Sequence, residues 1–340
     1  MIRKTSSIKN RILILILLLT VVLSSWIFFT DTKAIHLFEG RAMTIDYRII
    51  VGGNLQEKER KDVESIIFSV FEEIDQIYNK WNPGSEISQL NKLKAGEIVA
   101  LSYALENFLK LVEEIVILSE GKFDPTVEPL QDLCKEHLKN GTIPNEEAVQ
   151  NLLPVVGWKN IHFGQGTFYK DHTETKLDLG GIAKGYCVDL LIERIVKCGF
   201  TDVLVEWGGE IRANGMHPDN RPWTILAGCF DEETCCFGTT MCLYNESIAT
   251  SGDDEQQWNI FKDGIGTTYF HIFDPATGKP LISLPSGVAS ATFLAPTCVM
   301  ADALATIAMM HPNINEAREW AERICEKNPE ITFKLFTHNP

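Results

Sequence analysis

The hydrophobic pattern of the chain switches between helical and strand-like spacing, with polar loops in between. Lys58–Tyr78 shows the three-to-four-residue apolar period of an amphipathic helix, and Ser102–Ser119 shows it again, stopping at Gly121. A third helix repeats apolar residues at Ile182, Tyr186 and Leu190 and at Cys187, Leu191 and Ile195, and ends at Gly199. A fourth, from Val299 to Met310, is nearly apolar and carries one carboxylate, Asp302. Strand-like alternation marks Ala42–Val51, turned by Gly52-Gly53-Asn54, and a short strand ends in Lys176-Leu177-Asp178-Leu179. Residues 134–160 read as weak helices and loops. From 176 onward the order is strand, helix, strand, several short strands through Leu294, and a final pair of helices. Without an internal repeat or a regular βαβ winding, the mixture predicts an α+β domain of mixed sheets and packed helices.

The N-terminus follows different rules. An uncharged run of 18 residues, Ile12 to Phe29, follows Arg3, Lys4, Lys9 and Arg11, and the next charge is Asp31. That length approaches a membrane span, and no small-x-small cleavage site follows Trp26. Residues 1–30 are therefore read as an uncleaved signal anchor with a cytoplasmic basic end, a cleaved signal peptide being the alternative. A linker at 31–37 then leads to a folded domain over 38–335. Composition narrows the picture further. The 340 residues are 45% hydrophobic, enough for a full core. Thirty-one basic against 46 acidic residues give −15, with no basic stripe, which excludes nucleic acid as a partner. Nine cysteines without a CxxC pair exclude zinc-finger and thioredoxin-type sites. Cys229, Cys235, Cys236 and Cys242 are disulfide candidates of an exported domain, with no connectivity legible, whereas Cys187 and Cys198 read as small hydrophobes.

Several loops carry candidate chemistry. Asp178-Leu179-Gly180-Gly181 joins strand to helix, where glycines admit a close ligand and the helix N-terminus favours phosphate; Lys184 lies in the first turn. The spacing fits neither GxGxxG nor GxxxxGK[ST], and a plain tight turn is the alternative. Asp302 and Thr306 share one face of the apolar helix. A buried carboxylate there needs a partner, and a hard cation such as Mg²⁺ suits the oxygens, unless Asp302 is simply an exposed first-turn residue. His271, near the end of a strand before Asp274-Pro275-Ala276-Thr277-Gly278, is either a general base, a phosphate ligand or a structural histidine bonded to backbone. Turn chemistry accounts for Asp274 and Thr277. Trp207-Gly208-Gly209-Glu210 and Thr250-Ser251-Gly252-Asp253 add further loops of a nucleotide-wrapping kind.

These blocks together resemble the FAD:protein FMN transferases of the ApbE type. The resemblance runs through 121–130 (GKFDPTVEPL), 177–186 (LDLGGIAKGY), 208–211 (GGEI), 249–253 (ATSGD), 271–280 (HIFDPATGKP) and 301–306 (ADALAT), in order, over about 38–325. It implies an ApbE-like flavin transferase fold and an enzyme that uses Mg²⁺ to split FAD. FMN passes to a threonine hydroxyl of a target protein as a phosphoester, and AMP leaves. Asp302 and Thr306 match the family's metal positions, with Gly181 adding a carbonyl. Lys122, Phe123, Asp124, Asp178, Lys184 and Phe273 lie in FAD-contacting blocks, and His271 matches the histidine that deprotonates the threonine. Departures are Ala42-Met43-Thr44, which lacks the family's glycine, with Met43 still expected against the flavin; Trp81 where a tyrosine is usual; and Ala305 where some relatives place a second aspartate.

The expected setting is the bacterial inner membrane, with the catalytic domain on the periplasmic side. The expected acceptor is a threonine-bearing subunit of a membrane redox complex of the Na⁺-pumping quinone reductase or Rnf type. An FAD pyrophosphatase releasing FMN and AMP, and a non-catalytic exported FAD-binding protein, are the competing readings.

Overall fold

The computed structural model describes residues 34–227, 239–253, 257–262 and 265–338. The first strands are β1 (Ile35–Ala42), β2 (Ile45–Gly52), β3 (Val99–Ala100), β4 (Ile161–Gly164) and β5 (Thr167–Lys170). Next come β6 (Val203–Trp207), β7 (Glu210–Asn214), β8 (Trp223–Ala227), β9 (Thr239–Leu243) and β10 (Ser247–Gly252). The last are β11 (Gln257–Lys262), β12 (Ile265–Asp274), β13 (Lys279–Ile282), β14 (Ser290–Ala295) and β15 (Thr332–Phe336). A seven-stranded antiparallel sheet in the order β1-β2-β6-β7-β10-β14-β15 forms the frame. A separate three-stranded sheet, β11-β12-β13, carries His271.

The helices are α1 (Glu57–Glu73), α2 (Glu86–Asn91), α3 (Tyr103–Leu118), α4 (Glu128–Lys139), α5 (Glu146–Leu152), α6 (Ala183–Lys197), α7 (Cys298–Met309) and α8 (Ile314–Lys327). Side-chain hydroxyls or amides start several of them. Ser85, Ser102 and Asn145 each accept a backbone N–H of the first turn, which satisfies one of the donors that a helix start leaves open. Helices α6 and α7 lie at the centre of the main core. Val188, Leu191 and Ile195 of the first, and Ala301, Leu304, Ala305 and Ile307 of the second, are fully buried. The all-round apolar character of α7 has its reason there, because a helix covered on every side cannot be amphipathic.

A buried ion pair fixes the start of α7. Asp189, on α6, accepts the N–H groups of Cys298 (2.8 Å) and Val299 (2.9 Å), and Arg212 of β7 donates to it at 2.6 Å. A carboxylate from one helix thus caps the next, adding its charge to the favourable field at an N-terminus.

Four details differ from the sequence-based reading. The span Ala42–Val51 is not one strand, because Met43 and Thr44 turn a hairpin at φ 47° and 69° and β2 begins only at Ile45. Residues 35–37, expected in the linker, already pair with 50–52; the outer strand is mostly exposed, so its alternation was faint in the sequence. The predicted strand ending at Leu179 joins no sheet, making only an isolated bridge between Lys176 and Val127. Side chains replace the ladder: Asn91 both donates to the Leu177 carbonyl (2.9 Å) and accepts its N–H (2.7 Å), and Asp178 donates its N–H to Pro125. Beyond the predicted last helices, β15 adds an edge strand running to Phe336.

The anchor reading of residues 1–30 and Cys229, Cys235 and Cys236 lie outside the described residues. Among those described, no helix is long and apolar enough to cross a membrane, and Cys242 is a free, exposed thiol.

Candidate active site

A cleft of about 290 Å³ opens where the start of α6, one face of α7 and one face of α4 meet β10, β12 and the loops before α2 and α4. It gathers residues that lie far apart in the chain. Trp81, Phe123, Asp124, Asp178, Gly181 and Lys184 come from the first part of the chain, and His271, Phe273, Asp302 and Thr306 from the second. Met43 and Lys122 do not line it. Met43 sits at the β1–β2 tip beside a different groove of about 850 Å³, with Phe38, Tyr47 and Phe71. At Lys122 the chain turns Phe123 inward, its N–H held by the Ser119 hydroxyl at 3.0 Å, while the lysine charge acts on His311.

Asp302 is only 4% exposed, so the surface alternative for it is excluded. One carboxylate oxygen accepts the Gly185 N–H of α6 at 3.0 Å. Thr306, one turn on, shares a 3.2 Å hydrogen bond with the Ser251 hydroxyl. A Cβ placed on Gly181 would lie 3.2 Å from Phe123 and 3.8 Å from the Thr306 methyl, so the three residues converge. Glu210, quoted in the sequence only as part of a glycine block, is 2% exposed and sits in the same cleft. Lys184 donates to it at 2.6 Å and is thereby held by a carboxylate rather than left for a ligand. Burial pushes the Glu210 carboxyl up to about 8, and the nearby Asp302 charge adds to that. Burial likewise raises Asp302, to about 6, against the pull of Lys184 and the Gly185 N–H.

These oxygens fit a hard divalent cation. The Asp302 carboxylate, the Thr306 hydroxyl and the Gly181 carbonyl are the donor types Mg²⁺ prefers. The second carboxylate oxygen of Glu210 is buried without a hydrogen-bond partner among the described residues. Four carboxyl groups (Asp124, Asp178, Glu210, Asp302) and three lysines (80, 135, 184) line the cleft, and with Glu210 raised to about 8 the ionised groups are balanced near neutral pH. Among the described residues no group of three or more His, Cys, Asp or Glu forms a metal cage, so such a site would depend on one carboxylate with neutral oxygens.

The remaining walls are held by local chemistry. Asp124 accepts the Thr126 N–H (2.8 Å) and hydroxyl (2.6 Å) with one oxygen and the Trp158 N–H (2.9 Å) with the other, which stiffens the loop under Phe123. Asp178 accepts the Gly180 N–H at 2.9 Å and Lys80 at 2.8 Å. Lys80, missed in the sequence, also reaches Glu128 at 3.3 Å and lies 5.0 Å from the ring centre of Trp81, which is 79% exposed. A π-helical turn, Ile74–Tyr78, delivers this loop, and Asp75 ties it by accepting from Asn79 and Asn82. His271 is half-buried where the β12–β13 register shifts between Tyr269 and Phe273. Such a bulge re-aims side chains, here into the cleft. Asp274 bonds the Ala276 N–H and the Thr277 hydroxyl, as turn chemistry predicts.

A model of the ApbE family matches residues 43–331. The chain belongs to the ApbE family. It is 40% identical over 286 residues to an FAD:protein FMN transferase of Chlamydia pneumoniae, spanning 84% of this chain and 87% of that one. It is 31% identical over 248 residues to one of Vibrio cholerae, spanning 72% of each. Among solved structures, the flavin transferase ApbE from Vibrio cholerae superposes with a TM-score of 0.75 at 27% identity, covering 90% of this chain and 94% of that one. The apo flavinyl transferase ApbE of Pseudomonas stutzeri shares the fold with a TM-score of 0.77 at 23% identity, covering 91% and 92%. The expected ApbE-like fold is therefore the one this chain adopts.

Proposed function

We propose that this chain is an FAD:protein FMN transferase that uses Mg²⁺ and esterifies a threonine of its target. The observation that carries the reading is the cleft itself: on an ApbE scaffold it joins an oxygen donor set, Asp302, Thr306 and Gly181, to a histidine on a separate sheet. Mg²⁺ held by that set would neutralise pyrophosphate charge. Phe123, Phe273 and the exposed Trp81 supply apolar and aromatic surface for the flavin or adenine, and Asp178 and Asp124 shape the loops around them. Lys184, held by Glu210, keeps a positive charge near Asp302.

In the reaction proposed, the threonine oxygen forms a bond to the phosphorus on the FMN side. The bridging P–O bond breaks, and AMP departs with the bonding electrons. His271 accepts the hydroxyl proton as the oxygen attacks. Water in place of threonine would give FMN and AMP by the same displacement. The acceptor is proposed to be a threonine-bearing subunit of a membrane redox complex of the Na⁺-pumping quinone reductase or Rnf type. Residues 1–30 are proposed to anchor the domain at the inner membrane, on the periplasmic side, where such subunits lie.

The test is Asp302→Ala, assayed for Mg²⁺-dependent AMP release from FAD in the presence of an acceptor domain. Loss of Mg²⁺-dependent turnover by about a hundredfold or more, with the fold retained by circular dichroism, is expected. Unchanged Mg²⁺-dependent activity would remove the metal assignment.

A further inference from the structure

One lysine of the cleft makes no direct ion pair among the described residues. Lys135, on α4, lines the cleft and is half-buried, with neither an ion pair nor a hydrogen bond among the described residues. The carboxylates around it are engaged elsewhere. Lys80 takes both Asp178 (2.8 Å) and Glu128 (3.3 Å), Lys176 takes Asp132 (3.1 Å), and Asp124 is used within its own loop. Lys80 lies near enough to repel it. One turn earlier on the same helix face, Gln131 also lines the cleft, and its amide oxygen is buried without a partner among the described residues.

Burial penalises both groups, and both face the cleft; Asp178, Asp132 and Glu128 offset only part of the cost for Lys135, which has no direct partner and whose ammonium is held below its ordinary pKa by burial. Residues four apart rise about 6 Å along a helix, so an ammonium and an amide oxygen so placed can take a phosphate and an adjoining sugar hydroxyl. The ammonium takes the phosphate oxygen, and the amide accepts the hydroxyl. FAD carries that pairing on both sides of its pyrophosphate. We infer that Lys135, with Gln131, forms a phosphate–sugar subsite for FAD on the α4 wall of the cleft. The inference depends on the transferase reading for the identity of the ligand. Neither residue was singled out by any sequence motif. In this role Lys135 raises affinity for the dinucleotide and sets its position; it takes no proton and forms no covalent bond.

Isothermal titration of the full chain with FAD, FMN, AMP and riboflavin, without Mg²⁺ so that no turnover occurs, tests it. Lys135→Gln should weaken FAD about tenfold, the scale of a lost charge-assisted hydrogen bond. Riboflavin, which has no phosphate, should bind it as it binds the parent, and Lys135→Arg should restore most of the FAD affinity. FMN and AMP identify which phosphate is held, the one that weakens being the one contacted. Lys139→Gln, exposed at the end of the same helix, should change nothing. Equal FAD affinity for Lys135→Gln and the parent overturns the inference. Equal losses for FAD and riboflavin also overturn it, since the lysine would then shape the flavin pocket. Unchanged FAD affinity with a raised KM for the acceptor protein would overturn it in favour of an acceptor contact. Failure of the parent itself to bind FAD would instead sink the transferase reading, and this inference with it.

Discussion

Gly185→Ala should damage the candidate metal site from a distance, and the sign of its stability effect is diagnostic. Gly185 is in α6, where alanine is ordinarily favoured by up to about 1 kcal/mol. The added Cβ would lie 2.5 Å from the Cys298 carbonyl oxygen, 2.7 Å from its carbon and 2.8 Å from Val299 Cα. All three are backbone atoms of α7, so no side chain can swing away. The helices must separate by about half an ångström or more, and overpacking of this kind costs about 1–3 kcal/mol. Net destabilisation of about 1–2 kcal/mol follows, lowering Tm by about 1.5–3 °C for a chain of this size. The same movement stretches the 3.0 Å bond from the Gly185 N–H to Asp302 and shifts the carboxylate relative to Thr306. Thermal unfolding and a Mg²⁺ titration of activity would measure both effects. A Tm equal to or above the parent's, with unchanged Mg²⁺ dependence, would refute the argument that close helix packing sets the position of Asp302.

Other consequences follow from the same geometry. Asp189→Ala removes two hydrogen bonds from the start of α7 and leaves Arg212 with only Glu193, at 3.6 Å; a loss of about 3–5 kcal/mol is expected in urea unfolding. The raised Asp302 and Glu210 carboxyls make folded, metal-free protein hold protons that the unfolded chain has released between about pH 4 and 8. Their contribution to stability therefore falls as pH rises through that window, and Mg²⁺ should raise Tm more at pH 8 than at pH 5; equal shifts at both would contradict it. His271→Ala should slow single-turnover FMN transfer more than it weakens FAD binding, whereas a large loss of affinity at an unchanged rate would make His271 a binding residue.

What the sequence makes legible is chemistry that works locally. Helical period and end signals locate α1, α3, α6 and α7, and the Gly208-Gly209 pair duly turns a hairpin from β6 to β7 at φ 64° and 96°. The glycine-rich and aspartate-rich blocks mark the cleft because turns and close backbone approaches leave their mark within a few residues. Long-range electrostatics leaves none. Lys80 meets Asp178 across 98 positions, and Lys184 meets Glu210 across 26. Asp178 and Lys184 read as ligand contacts in the sequence, but their partners Lys80 and Glu210 do not stand out, so neither ion pair was legible. Segment 176–179 reads as a strand because it is extended and apolar, but its hydrogen bonds come from Asn91 and Pro125 rather than a neighbouring strand. Gln131 and Lys135 are likewise unremarkable in one dimension, and only the packing of α4 against the cleft gives them a shared role.

The most direct test of the central claim is the intact mass of a threonine-bearing acceptor domain after incubation with this protein, FAD and Mg²⁺. One added FMN, absent when Mg²⁺ is chelated and absent when the acceptor threonine is replaced by alanine, is the predicted result. Free FMN and AMP with an acceptor of unaltered mass, across acceptors from both membrane complexes, would contradict the transferase reading and leave a hydrolase.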